Sequence, residues 1–287
     1  MTDVARFLFL VVNGLTFAGL LFVIASGFSL MFGLMRVVNL AHGAFYILGA
    51  YLAWTVQSQG GNWVFGLFVA AVGVGILALL TYFLVQRVHG DLPQTLLTLG
   101  LGIGVADLCL WIWGGLPKTL TAPDILRTRV TIGAFTYPGY RYFVLITAVV
   151  VGFGLWYMLQ RTRLGKIIRA GVDNREMISA LGINIDRIFI KVFLLGGLIT
   201  GFAGAIGGSY LAFGPGMDFE ILTFALVVVI IGGMGSIAGS AVGAIVVGLV
   251  DSFGRTYASE FSIFLLSFTV ILVIMLRPQG LFGRAHE

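Results

Sequence analysis

Charged residues are scarce: Asp, Glu, Lys and Arg together make up 10% of the 287 residues. A globular domain in water carries about 25%, because its surface needs roughly a quarter or more of its residues ionised. This chain cannot furnish such a surface, so a soluble fold is excluded. Cysteine occurs once, at Cys109, which rules out an intramolecular disulfide and leaves the redox compartment unread. Six prolines beside 41 glycines exclude collagen and proline-rich low-complexity sequence. Histidine is confined to His42, His89 and His286, none of them spaced with another His or with Cys as metal ligands are. No His-Glu-x-x-His, Gly-x-Ser-x-Gly or Gly-x-x-x-x-Gly-Lys-Ser/Thr occurs, so neither hydrolysis nor nucleotide-driven chemistry is expected of this chain. The run Gly100 to Gly104 lacks the third glycine of a dinucleotide fingerprint and its strand-to-helix setting, and reads as helix packing. The chain is thus expected to bind no metal or cofactor of its own.

Apolar residues fill the space that charge leaves, at 59% of the chain with a mean hydropathy of +1.05. The runs are long and unbroken, unlike the short alternating segments of a membrane β-barrel. The expected fold class is an all-α polytopic transmembrane helical bundle of about eight to ten spans, with residues 1–287 forming a single transmembrane domain. A crossing needs about 20 apolar residues. Candidate spans are Phe7 to Phe32, Ala41 to Val56, Trp63 to Val85, Thr95 to Trp113, Tyr142 to Leu159, Val192 to Phe213, Phe219 to Gly233, Ala238 to Val250 and Phe261 to Leu276. Phe219 to Gly233 and Ala238 to Val250 are short, as broken or re-entrant helices lining a cavity are. The first run continues well past a signal-peptide core, so that helix is expected to be retained.

The net charge of +5 reads as orientation, with no nucleic-acid partner implied. Seven of the 17 basic residues lie between Gln160 and Lys191, which places that loop in the cytoplasm. Counting outward puts the C-terminus in the cytoplasm and the N-terminus outside. The external loop 114–141 then carries Lys118, Arg127, Arg129 and Arg141, and its Thr/Val/Ile alternation before Tyr137-Pro138-Gly139 predicts a small hairpin. Glycines at Gly197, Gly201, Gly204 and Gly208, and at Gly235, Gly239 and Gly243, fall at the three- and four-residue spacing that lets membrane helices pack closely.

Few polar residues lie within the spans. Asn39 is placed to cap a helix from Leu40 to Val56, and His42 and Tyr46 share one face of it, open either to a pathway or to a neighbouring helix. Asp107 is the one carboxylate deep inside a predicted span, where an ion costs at least ~2.5–3.5 kcal/mol and marks a functional hypothesis. It suits a substrate ammonium, a proton or an interhelical hydrogen bond. Thr98 and Thr95 extend its polar stripe. Asp218 and Glu220 open a helix after Gly214-Pro215-Gly216, where carboxylates complement the macrodipole. Asp251 and Glu260 flank an external loop and are expected to be solvated.

The cytoplasmic loop 160–191 is too long for a turn. Asp173 or Asn174 can cap a short helix from Arg175 to Leu181, and Gly182 stands at its C′ position. Met177, Ile178 and Leu181 form one apolar face, suited to docking in a groove of a soluble partner or to lying on the lipid surface.

Five motifs in order carry a family resemblance: Asn39 to Tyr51 (NLAHGAFYILGAY), Thr98 to Gly100, Arg161 to Arg187 (RTRLGKIIRA…MISALGINIDR), Val229 to Gly243 (VIIGGMGSIAGSAVG) and Leu276 to Leu281. Together they resemble the permease subunits of branched-chain amino-acid ABC importers, of the LivH type, over nearly the whole chain. The resemblance implies a bacterial inner-membrane subunit working with a second homologous permease, two cytoplasmic ATPases that hold ATP and Mg, and a periplasmic substrate-binding protein. It implies that Arg169, Asn174, Met177, Leu181 and Gly182 meet the ATPase groove. The polar residues of the spans themselves nominate Asn39, His42, Tyr46, Thr98 and Asp107 for the substrate pathway, and Asp107 departs from the amide or longer acid that relatives often have there, so its role does not follow from the resemblance. Permeases similar to these also handle amides, urea and aromatic acids. An ion-coupled secondary transporter using Asp107 is the rival reading from composition.

Overall fold

The computed structural model describes residues 3–35, 38–132, 135–173 and 182–283. All nine predicted spans are helical. They are α1 (Asp3–Met35), α2 (His42–Ser58), α3 (Trp63–Val85), α4 (Asp91–Trp113), α6 (Gly139–Arg161), α8 (Ile185–Tyr210), α9 (Met217–Gly232), α10 (Ile237–Tyr257) and α11 (Ser262–Leu276). A short α5 (Asp124–Arg127), strands β1 (Arg129–Ile132) and β2 (Phe135–Pro138), and α7 (Arg163–Asp173) fill the two long connections. Among the described residues, α1, α3, α4, α6, α8 and α10 are long and apolar enough to cross a membrane.

Of the three remaining helices, α2, α9 and α11, only α9 was expected to be short. At 17 residues and 1.5 Å per residue, α2 falls just under the ~30 Å hydrocarbon core, and α9 has 16 residues. The sequence placed Ala238 to Val250 among the short spans. In the structure α10 runs 21 residues, because Asp251 is paired with Arg255 at 2.8 Å one turn on. That pairing lets the helix continue through charged residues, and it keeps Asp251 from being the solvated loop carboxylate expected.

Position in the bundle follows from sidedness. α2 is apolar around its whole circumference and sits inside, packed against α3, α4, α8 and α9. The spans α1 and α8 are 61% buried, whereas α4 is only 17% buried. α4 leans on α2 with one face and leaves Leu96, Ile103, Leu108 and Trp111 bare. Close approach in the interior depends on absent side chains. A Cβ at Gly204 of α8 would overlap the carbonyl oxygen of Tyr46 in α2, and a Cβ at Gly43 would overlap the carbonyl oxygen of Asp218 at the start of α9. The predicted α8 glycine stripe is thus the seam with α2 and α3. Gly235 is not on a helix as expected: it lies in the α9–α10 connection with φ 81°.

At one end of the bundle the predicted hairpin is present, with Arg129 opposite Pro138 and Ile132 opposite Phe135. The connection before it is tied down. Lys118 and Phe213 exchange backbone bonds at 2.8 Å, the Leu120 N–H donates to the Gly208 carbonyl at 2.9 Å, and Gln57 pairs with the Thr121 backbone. At the other end lies α7, an amphipathic helix the sequence reading did not anticipate. Ile168 is buried and Leu164 and Ile167 pack inward, while Arg163 and Lys166 are exposed.

Candidate functional site

The α1–α2 connection and the start of α2 hold three of the five expected pathway residues, Asn39, His42 and Tyr46, while Thr98 and Asp107 lie on α4. Asn39 is buried; its side-chain oxygen accepts from the Ala41 N–H at 3.1 Å, and its amide lies 3.5 Å from the Met31 sulfur. The helix therefore begins at His42 with Ala41 as its N-cap, two residues later than the expected cap at Asn39, because the Asn side chain folds the chain before the helix instead of at its end. Thr98 is buried in α4, and its hydroxyl accepts from the Leu40 N–H at 3.1 Å and donates to Thr95 O at 2.8 Å. It staples the connection to α4.

His42 is wholly buried. Its Nε2–H donates to the Ile24 carbonyl at 3.0 Å, the Thr200 hydroxyl lies 3.4 Å away, and Phe28 meets the ring edge-on at 5.2 Å. That carbonyl partner selects the tautomer with a bare Nδ1, an atom left without a partner. Tyr46, one turn on, is buried with its hydroxyl against Gly207 of α8. His42 and Tyr46 are both wedged between helices.

A second polar group lies further along α2. A cavity of about 160 Å³ opens between α2, α4 and the start of α9, lined by Ile47, Tyr51, Ile103, Ala106, Asp107, Cys109, Leu110, Pro215, Gly216, Asp218 and Phe219. Asp107 reaches it from the bare face of α4. Asp218, 7% exposed, reaches it from the first turn of α9. Among the described residues neither carboxylate has a hydrogen bond or ion pair. Tyr51 is 1% exposed, its ring stacked on Trp113 at 5.0 Å and edge-on to Phe213 at 5.1 Å, yet its hydroxyl has no partner. The Tyr51 hydroxyl and the Cys109 thiol both lie within electrostatic reach of Asp218.

The structure thus brings Asp107 together with two residues the sequence reading did not select. Tyr51 closes the quoted motif, but nothing in its spacing marks it. Asp218 was read as a helix-dipole partner; its neighbour Glu220 is exposed and free to fill that role, while Asp218 is turned inward. Of the residues expected at an ATPase groove, Arg169 lies on α7 and bonds Gln160, and Gly182 has the left-handed φ of 78° that a C′ position uses. Asn174, Met177 and Leu181 lie outside the described residues.

A bundle of apolar helices around short, internally starting ones, with ionisable groups at a cavity, defines a multi-pass membrane permease. Residues 10–276 match the family described as branched-chain amino acid transport system / permease component, and the chain belongs to that family. It is similar to the high-affinity branched-chain amino acid transport system permease protein BraD of Pseudomonas aeruginosa, 25% identical over 99% of this chain and 98% of BraD. It is also similar to LivH of Escherichia coli, 25% identical over 95% of this chain and 94% of LivH, and to LivM of the same organism, 29% identical over 90% and 67%. No solved structure matches the chain significantly. The expected fold class and the expected role, a permease subunit of an ABC importer, are both borne out.

Proposed function

We propose that this chain imports branched-chain and related hydrophobic amino acids across a bacterial inner membrane, forming half of the pathway beside a second homologous permease. The observation that carries the reading is the family match across residues 10–276, joined by relatives aligned over almost their full length. Two cytoplasmic ATPases holding ATP and Mg supply the energy, and a periplasmic binding protein delivers the solute. The basic end bearing α7 faces the cytoplasm with the C-terminus, and the hairpin end faces the periplasm. Arg169, Asn174, Met177, Leu181 and Gly182 meet the ATPase groove. ATP binding draws the ATPases together, the cytoplasmic helices follow, and the glycine-seamed helices pivot so that the cavity opens to alternate sides. Of the expected pathway residues, Asp107 borders the solute; Asn39, His42, Tyr46 and Thr98 hold the α1–α2 connection in the shape that lets it do so.

The test is uptake of labelled L-leucine into liposomes containing the assembled transporter and its binding protein. Accumulation is expected only with ATP. Replacing Met177 and Leu181 by Asp is expected to abolish ATPase association and to lower uptake at least tenfold. Leucine uptake that persists without ATP would sink the reading and favour ion coupling through Asp107; uptake of an amide, urea or aromatic acid in place of leucine would reassign the substrate.

A further inference from the structure

We propose that the cavity between α2, α4 and α9 is a binding site for a primary ammonium group carried on a short apolar body, with Asp218 as its main counter-ion, Asp107 as the second carboxylate and Tyr51 as hydrogen-bond partner. The assignment deepens the amino-acid import reading and rests on it.

Three observations converge on one chemistry. Asp218 is 7% exposed and lines the cavity with no hydrogen bond or ion pair among the described residues, and a carboxylate largely withdrawn from water favours a cationic partner. Tyr51, which lines the same cavity, adds a second unmet group, a buried hydroxyl with no partner. Asp107 supplies a further negative charge at membrane depth, again unpaired. All three needs are met by one ligand group. An ammonium donates to both carboxylates and to the Tyr51 oxygen, while the Tyr51 hydroxyl donates to a carboxylate. The rest of the lining, Ile47, Ile103, Leu110 and Phe219, suits an aliphatic body.

A metal ion fits less well. Calcium takes six to eight oxygen ligands, and two carboxylates with one hydroxyl offer five against an otherwise apolar wall. The helix-dipole role does not account for Asp218 either, since its side chain makes no bond to the free N–H groups of the first turn of α9 and exposed Glu220 stands in the same turn. A primary ammonium could come from a free amino acid or from an ethanolamine lipid head group, because Asp107 stands on the uncovered face of α4. The experiment separates these.

Binding of labelled L-leucine is measured on the assembled transporter, without binding protein, in nanodiscs of phosphatidylcholine and phosphatidylglycerol. Leucine is expected to be displaced by 3-methylbutylamine and hardly at all by 4-methylpentanoate, which keeps the carboxylate and lacks the ammonium. Asp218→Asn is expected to weaken leucine binding about tenfold or more and to erase the amine's advantage over the acid. Tyr51→Phe is expected to weaken it several-fold with the preference retained, and if Asp218→Asn does not assemble, Asp218→Glu and Tyr51→Phe carry the same comparison. Equal displacement by amine and acid, or variants with unchanged affinity and preference, would overturn the site. Leucine binding that disappears when the lipid includes phosphatidylethanolamine would assign the ammonium to lipid and overturn a solute site. If these outcomes occur while vesicles still accumulate leucine with ATP, only the site falls; if no amino acid accumulates, the import reading falls instead.

Discussion

Two polar clusters share helix α2, about two turns apart, and they are finished differently. The first, around Asn39 and His42, is closed by protein at all but His42 Nδ1: the Asn39 oxygen, the Thr98 hydroxyl and His42 Nε2 each bond to backbone, and the bare Nδ1 is packed between helices. The second, around Tyr51, Asp107 and Asp218, is open: all three residues line one cavity, the two carboxylates are unpaired among the described residues, and the Tyr51 hydroxyl has no partner. Hydrocarbon supplies no hydrogen bonds, so each polar group at membrane depth must be satisfied by protein, by a ligand or by water in a cavity. An unpaired polar residue on a cavity wall therefore separates site from framework better than polarity does: Tyr51, Asp107 and Asp218 line one cavity, and His42 does not line it. His42, the most conspicuous polar residue in the sequence, belongs to the framework, and Tyr51, which reads as one aromatic among many, belongs to the site.

The sharpest way to break the comparison is to disturb the seam that holds both clusters. Gly204→Leu drives a side chain into the Tyr46 backbone, which rotamer changes cannot relieve. A loss of about 3 kcal/mol or more is expected, read as disappearance of the monodisperse peak in size-exclusion chromatography. A folded variant would mean that α2 and α8 can separate without cost.

The two clusters are also expected to give opposite signatures. His42→Ala removes the bond to Ile24 and leaves a void, a loss of about 2–4 kcal/mol, seen as a lower apparent melting temperature, while the amine-over-acid preference stays. Tyr51→Phe removes a hydroxyl that no protein group satisfies, so stability is expected to hold or rise by up to about 1 kcal/mol, with ligand binding weakened. If His42→Ala changes the preference, or Tyr51→Phe lowers the melting temperature by as much as His42→Ala, the division is wrong.

The smallest effect is expected on the bare face of α4. A Cβ at Gly104 meets nothing within 4 Å, so Gly104→Ala should raise stability of the isolated chain by less than about 1 kcal/mol through helix propensity alone. A lower melting temperature in the assembled transporter, with no change in the isolated chain, would place a partner subunit against that face.

Much of the fold was legible in one dimension because a bilayer imposes length and apolarity on each crossing helix. The nine runs, the hairpin before Gly139 and the α8 glycine seam all follow from that constraint or from turn chemistry. What escaped was local compensation: the Asp251–Arg255 pair extended α10 through charges, and the Asn39 side chain folded the chain before α2 began. α7 escaped for a different reason, since its 11 residues are charged on one side only and read as loop when counted without periodicity. In the site, Asp107 was legible because an ion in an apolar run stands out. Tyr51 and Asp218 were not, because whether a hydroxyl or a carboxylate finds a partner depends on residues more than a hundred positions away.

The composition alone decided that this chain lives in a membrane, since 10% charge cannot clothe a soluble surface, and the ordered motifs decided its family. Which polar residues are framework and which are left for a ligand was decided only when α2, α4 and α9 met. Hydrogen bonds reach about 3 Å, and only the packed bundle sets which donors and acceptors come that close.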